Sequence, residues 1–94
     1  MESETKQEIY SKHRGFVESY VCNIGTTRQH AVKNIKTALK KEILNAQDVN
    51  AILVEVKKEN IMDFEKSTAY SNLISERKQR YELIKKELQQ LLMN

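Results

Sequence analysis

The chain has 94 residues, with two glycines, no proline, no tryptophan and one cysteine. This length fits one small domain over residues 1–94, and so few turn residues argue against a β-sandwich or barrel. One cysteine excludes an intramolecular disulfide framework and a cysteine-based zinc site. No apolar run approaches the roughly 18 residues of a membrane span, and the polar N-terminus lacks the pattern of a secretory signal. We therefore expect a soluble cytoplasmic protein that does not bind membranes.

Positive charge is concentrated in one part of the chain, although the formal net charge is only +3. Residues 28–41 contain no acid and five basic side chains, namely Arg28, Lys33, Lys36, Lys40 and Lys41. Such a segment attracts acidic protein surfaces and nucleic acids alike. Lysine also outnumbers arginine twelve to four, a bias typical of AT-rich genomes such as those of low-GC bacteria and their phages.

A first helix is predicted from Lys6 to about Asn23. Thr5 and Glu8 have capping-box spacing at its start. One face at helical spacing holds apolar residues together with one histidine: Ile9, His13, Phe16, Val17, Tyr20, Val21 and Ile24. Gly25 is the predicted stop, because a helix end favours a residue that adopts the left-handed conformation.

A second, basic helix is predicted after Gly25. Thr26 and Gln29 offer another capping box, and the apolar periodicity continues to about Leu44. Its apolar face consists of Ala31, Val32, Ile35, Ala38, Leu39 and Ile43. Its outer face carries Lys33, Lys36 and Lys40, flanked by Gln29, His30 and Lys41. The pattern is that of an amphipathic helix with a basic outer face.

The segment from Ile24 to Val32 resembles the turn and recognition helix of helix-turn-helix proteins. It reads Ile-Gly-Thr-Thr-Arg-Gln-His-Ala-Val, close to the Leu/Ile-Gly-Val-Ser-Arg-Gln-Ala-Val of that family. It departs from the family at Thr26, where an apolar residue normally fills the turn, and at Val32, which comes one residue late. The resemblance implies that Thr27, Arg28, Gln29 and Lys33 face the major groove, with Lys36 and Lys40 on phosphates.

Residues 49–58 form the third segment, for which two interpretations are open. Asn45 to Asp48 has the composition of a turn, with Asp48 as N-cap, and apolar residues then continue at helical spacing. The β-branched run from Ala51 to Val56 would also suit a strand. We favour a helix because no other segment offers that strand a partner.

The last predicted helix is the longest and spans about residues 67–92. Its apolar positions alternate in steps of four and three, which defines a heptad seam: Tyr70, Ile74, Arg77, Tyr81, Ile84, Leu88 and Leu91. Arg77 interrupts this seam. The seam would pack either against the other helices or against a second chain. Leu73 and Leu83 lie off it, and apolar residues on several sides favour a homodimer.

Catalysis has weak support in the sequence. Cys22 lies on the far side of the first helix from His13, too far for a nucleophile and its base. Gly15 and Gly25 form no phosphate-binding loop, and no carboxylates stand at metal-ligand spacing beside a histidine. We therefore expect no enzyme activity, no cofactor, no metal and no small-molecule substrate.

These observations predict an all-α bundle of three to four helices with a long C-terminal helix. The predicted function is that of a small regulatory or adaptor protein whose partner is an acidic protein surface or a nucleic acid. Its expected contacts are Thr27, Arg28, Gln29, Lys33, Lys36, Lys40 and Lys41. Small chains of this build are common on mobile elements as inhibitors or regulators of host machinery, which is an analogy of fold alone. The alternative is a dimeric helix-turn-helix-like DNA-binding regulator.

Overall fold

The computed structural model describes residues 5–93. All regular secondary structure in this range is helical. The four helices are α1 Lys6–Val21, α2 Arg28–Lys40, α3 Ala46–Asn60 and α4 Ser71–Met93. The predicted all-α bundle with a long C-terminal helix is confirmed. Residues 49–58 lie in α3, so the helical interpretation of that segment was right. Residues 1–4 and 94 of the predicted domain lie outside the described residues.

The link between α3 and α4 consists of two short 3-10 turns, Met62–Phe64 and Thr68–Tyr70. The last helix was predicted to begin at about residue 67, which lies inside the link. Ser67 instead caps the second turn, with its hydroxyl accepting a bond from the Ala69 amide at 3.3 Å. With that turn included, the final helical stretch runs from residue 68 to residue 93.

The core is aliphatic and receives side chains from all four helices. α1 packs on α2 and α3, and α4 contacts all three. The largest side chains fully excluded from solvent on these helices are Val17, Val21, Ile35, Val49, Ile52, Val56, Ile84 and Leu88. Burying one side chain of this size contributes roughly 1.5–3 kcal/mol before entropy is counted. The hydrophobic faces predicted from helical spacing therefore meet at one centre.

Asparagine and threonine side chains fix the starts of α1 and α3. The Thr5 hydroxyl accepts a bond from the Glu8 amide at 3.1 Å, as its spacing predicts. At α3 the N-cap is Asn45 rather than Asp48. Asn45 accepts from the Asp48 amide at 2.9 Å, and the Asp48 carboxylate accepts from the Asn45 amide at 3.1 Å. This reciprocal pair satisfies two amides that have no partner inside the helix.

The start of α2 differs from the predicted pairing of Thr26 with Gln29. Thr27 is the N-cap, and its hydroxyl accepts a bond from the His30 amide at 3.1 Å. Thr27 has the extended backbone that an N-cap residue requires, with φ −85° and ψ 158°. The helix therefore starts one residue later than the sequence pattern predicts.

Asn23, rather than Gly25, supplies the left-handed residue that ends α1. Asn23 has φ 59°, and the next amide, that of Ile24, donates to the Ser19 carbonyl at 2.7 Å. The Asn23 amide donates to the Tyr20 carbonyl at 3.0 Å. These two bonds define a Schellman motif. Gly25 also has a positive φ, +87°, but it lies in the loop beyond the helix end.

The same motif ends α2, at a residue that is poorly suited to it. Glu42 has φ 59°, and the Ile43 amide donates to the Ala38 carbonyl at 2.9 Å. The helix stops at Lys40 rather than near Leu44 for this reason. A left-handed backbone at a residue with a Cβ costs about 1–2 kcal/mol.

Glu42→Gly is expected to stabilise the fold by about 0.5–1 kcal/mol. Glycine relieves the left-handed strain, and the exposed Glu42 side chain lies outside the core. Urea unfolding followed by circular dichroism measures the change. Glu42→Ala is the matched control, because it removes the carboxylate and keeps the Cβ. Equal free energies of unfolding for the two variants would contradict the claim that the left-handed backbone at residue 42 is strained.

A polar contact joins α1 to α3 beside the core. The Arg14 Nε lies 3.2 Å from the Glu55 carboxylate, and the Arg14 guanidinium also pairs with Glu59. The Tyr10 hydroxyl donates to Glu55 from the other side. Burial, followed by the bond to Glu55, raises the pKa of Tyr10 from 10.0 to about 12. The folded state therefore holds this proton more tightly than the unfolded state does.

The free energy of unfolding is expected to fall as the pH rises from about 10 towards about 12, because the unfolded chain loses the Tyr10 proton first. Below pH 10 the contribution of this proton is fully present. In Tyr10→Phe the fall should be smaller but not zero, since Tyr81 and Cys22, whose pKa values burial also raises, keep such shifts. Urea unfolding at about pH 9 and about pH 11 measures it. Tyr70→Phe, at an exposed tyrosine, is the matched control, and a fall equal to the wild type in Tyr10→Phe would refute the assignment.

Candidate partner-binding surface

Three lysines form one exposed row on α2. Lys33, Lys36 and Lys40 follow each other at spacings of three and four residues, which places them on one side of the helix. The buried residues of α2, Ala31 and Ile35 among them, lie on another side. We call Lys33, Lys36 and Lys40 the lysine stripe.

The lysine stripe has no acidic neighbour within the described part of the chain. All three side chains are exposed, and no carboxylate of residues 5–93 lies within 4 Å of their ammonium groups. Arg28, on the same helix, is paired with Glu87 of α4 at 3.4 Å. Like charges this close in a helix repel one another. A negatively charged partner would relieve that repulsion.

The structure separates the seven residues predicted to contact a partner into two groups. Gln29 is exposed one turn before Lys33 and extends the lysine stripe. Thr27 uses its hydroxyl as the N-cap of α2. Arg28 is half-buried against α4, and Lys41 follows the end of the helix and lines a small cavity beside α1. The coherent surface is therefore the lysine stripe with Gln29.

The helix-turn-helix resemblance is weaker in the structure than in the sequence. Two of the four side chains that it assigns to the major groove, Thr27 and Arg28, have partners within the chain. In the turn at residues 22–27, Ile24 is 69% exposed, so its side chain is not packed between the two helices that the turn joins. Gln29 and Lys33 alone stay accessible at the positions that would read bases.

The heptad seam is mostly part of the core of this one chain. Ile74, Tyr81, Ile84 and Leu88 are buried against the other helices. Leu91 is half-buried, and Tyr70 lies in the preceding 3-10 turn with 44% of its surface exposed. The predicted seam therefore does not form a continuous exposed surface. Packing within the chain was one of the two interpretations that the heptad pattern allowed.

Arg77, which interrupts the heptad pattern, binds the end of α3. Its Nη1 donates to the carbonyl oxygen of Asn60 at 2.8 Å, and its guanidinium carbon lies 5.2 Å from the centre of the Phe64 ring. A cation at a helix C-terminus is favourable because the carbonyl groups there lack partners. A single charged residue in an apolar heptad was the only sequence signal of this role.

Cys22 and His13 have structural partners. The Cys22 thiol donates to the Asn60 side-chain oxygen at 3.3 Å, and burial raises the pKa of this thiol. His13 is buried, with Nδ1 2.7 Å from the Ile9 carbonyl oxygen. A raised pKa keeps the sulfur as a thiol, which is a poor nucleophile. Within residues 5–93 there is no group of three or more potential metal ligands from His, Cys, Asp and Glu.

Two further findings concern the surface as a whole. None of the helices in the described range combines the length and apolarity needed to cross a membrane.

A groove of about 670 Å³ lies between α3 and α4. Of its lining residues, Tyr81 belongs to the predicted heptad seam. The groove was missed because its lining combines α3, the link and α4, and these residues come together only when the two helices pack.

No protein-family model, no curated protein and no solved structure matches this chain. Any function must therefore be argued from the chemistry of its surfaces. Two surfaces carry such an argument, the lysine stripe and the groove between α3 and α4.

Leu88→Ala is expected to lower the free energy of unfolding by about 2–5 kcal/mol, because Leu88 is fully buried within the chain. Urea unfolding at protein concentrations that differ roughly twentyfold measures the loss and shows whether stability depends on association. The loss should be the same at both concentrations. Ile24→Ala, at a residue 69% exposed, is the control. The contradicting result is a urea midpoint that rises with protein concentration in the wild type and not in Leu88→Ala. It would mean that the heptad seam packs against a second chain.

Proposed function

We propose that this chain is a small, non-enzymatic regulatory or adaptor protein that binds an acidic surface of a partner protein through α2. The lysine stripe and Gln29 are its contacts. One observation carries the proposal: the stripe is exposed and has no carboxylate within 4 Å in the described chain. Exposed charges of this kind guide and orient a partner of opposite sign.

Apolar surface next to the stripe adds to its suitability for a protein partner. Lys36 and Lys40 line a cleft of about 420 Å³ together with Leu39, Leu91 and Leu92. Exposed ion pairs contribute only about 0.2–1 kcal/mol each. A partner that also places an apolar side chain in the cleft gains hydrophobic contact at the same site. An acidic protein surface can supply both, whereas a phosphate backbone supplies only the charge.

The second candidate is a dimeric helix-turn-helix-like DNA-binding regulator. The lysine stripe favours it, because the same three ammonium groups suit phosphates. We rank it second because Arg28 is paired with Glu87 and the Thr27 hydroxyl caps the helix. Base readout by these two residues would require both contacts to break.

Three finer predictions accompany the proposal. We place the protein in the cytoplasm, where a lone thiol such as Cys22 stays reduced. The homodimer stays a prediction, and it would use the outer side of α4, where Leu83 is exposed, rather than the buried heptad positions. A role as a mobile-element inhibitor or regulator of host machinery rests on composition and on the analogy of build.

Charge reversal in the stripe, Lys33→Glu with Lys36→Glu, is expected to abolish capture of the partner from a lysate of the source cell. Each reversal replaces one positive charge by one negative charge, so the two together lower the formal net charge from +3 to −1. Lys12→Glu with Lys86→Glu makes the same change at two other exposed lysines and is the matched control. The control should retain the partner, and both variants should keep the helical circular dichroism spectrum.

The same experiment distinguishes the two partner classes. Capture that survives nuclease treatment and is lost in the stripe variant supports a protein partner. Capture that nuclease abolishes supports the DNA alternative. Duplex DNA should then bind directly, with log K falling by about 0.9 per neutralised phosphate as log salt rises. Equal capture by the stripe variant and the control would refute both assignments to α2.

A further inference from the structure

The groove between α3 and α4 has an apolar floor that is partly open to solvent. Leu53 and Tyr81 form its buried base, with 3% and 5% of their surfaces exposed. Val54 and Met62 line the same groove and are far more open, at 65% and 50%. Single exposed apolar residues are ordinary, but here two of them adjoin a concave apolar surface. Methionine also adapts its shape to different ligands.

The rim of this groove is basic. Lys57, Lys58, Lys66 and Lys85 line it, with Asp63 as the one acid among the lining residues. None of these four lysines has a carboxylate within 4 Å in the described chain. Two helices and the link between them supply the lysines, so their convergence depends on the tertiary fold. The C-terminal turn of α3 favours cations at Lys57 and Lys58, but it does not account for Lys66 and Lys85.

Two of these lysines are held close to the floor. The Lys57 and Lys85 ammonium groups lie 5.7 Å and 5.9 Å from the centre of the Tyr81 ring. Each ammonium group is attracted to the electron-rich face of the ring. The two like charges nevertheless lie beside the same aromatic side chain. Both lysines line the groove, so acidic groups of a ligand bound there would meet these cations while its apolar neighbours fill the groove beside them.

We propose that the groove between α3 and α4 is a second docking site, which binds an acidic amphipathic segment of a partner protein. Apolar anchors of that segment contact Val54, Met62 and Leu53, and its Asp or Glu side chains contact the rim lysines. An amphipathic helix with anchors spaced three and four residues apart is the form of ligand that such a groove accepts.

This site is independent of the lysine stripe. Lys85 and Gln89 of α4 line the groove, whereas Glu87 and Leu91 of the same helix face α2. Charge complementarity decides the occupant: an apolar floor inside a basic rim fits a ligand that is both apolar and acidic. Nucleic acid lacks the apolar anchors, and a second copy of a chain with net charge +3 would bring more positive than negative charge.

A displayed library of random 16-residue peptides tests the proposal. The library is selected on the wild-type protein and counter-selected on the groove variant Val54→Asp, whose substitution lies at an exposed position. Affinities of the enriched peptides are then measured by fluorescence anisotropy. The comparison includes Val54→Asp, Lys58→Glu with Lys66→Glu, and the stripe variant Lys33→Glu with Lys36→Glu. Circular dichroism confirms that each variant is folded.

Enriched peptides should combine acidic residues with apolar residues at spacings of three and four. Both groove variants should weaken binding at least about tenfold, and the stripe variant less than about threefold. Scrambled peptides of unchanged composition should bind the wild-type protein as weakly as the selected peptides bind Val54→Asp. Enrichment of peptides without acidic residues, or equal affinity for wild type and groove variants, would overturn the proposal. So would tighter binding of a 16-base-pair DNA duplex, or dimerisation of the protein that Val54→Asp abolishes.

Discussion

Burial of one face of α4 against the other three helices is the interaction on which the rest of the structure depends. Ile84 and Leu88 are fully excluded from solvent, and Tyr81 and Ile74 nearly so. α4 contacts α1, α2 and α3, and among the described helices α1 likewise contacts the other three. A chain this short has little interior, so removing one such contact removes a large share of its stability. The heptad residues therefore contribute first to folding of the single chain, and only then to any association with a second chain.

The position of α4 also explains why the basic surfaces are separate. On one side of α4, Glu87 pairs with Arg28 and holds it against the bundle, which leaves the lysine stripe as the unpaired charge of α2. On the other side, Tyr81 forms the floor on which Lys57 and Lys85 rest. α4 thus supplies both the carboxylate that pairs with Arg28 and the aromatic ring beside Lys57 and Lys85. A protein with two such surfaces can contact two partners, or one partner at two points.

Helical spacing predicted the helices and most of the core, because an apolar face recurs with the period of the helix. It failed at helix ends: Asn23, a residue type that tolerates the left-handed backbone, ends α1 before Gly25, and Glu42 adopts that backbone although its residue type disfavours it. It also could not tell whether the heptad seam meets its own chain or another, since both satisfy the same pattern. The pairing of Arg28 with Glu87 joins residues far apart in sequence, so the loss of a predicted contact residue became visible only in the fold.

The bond from Arg77 to the Asn60 carbonyl has a consequence for how the molecule opens. Helix ends normally fray independently of their neighbours, because their last carbonyl groups bind only water. Here the end of α3 is tied to the second turn of α4, and Asn60 in turn accepts a bond from Cys22 just after α1. Local opening at this corner therefore requires three elements to separate together. The final turn of α3, which carries Lys57 and Lys58, belongs to the same cooperative unit as the bundle and not to a flexible link.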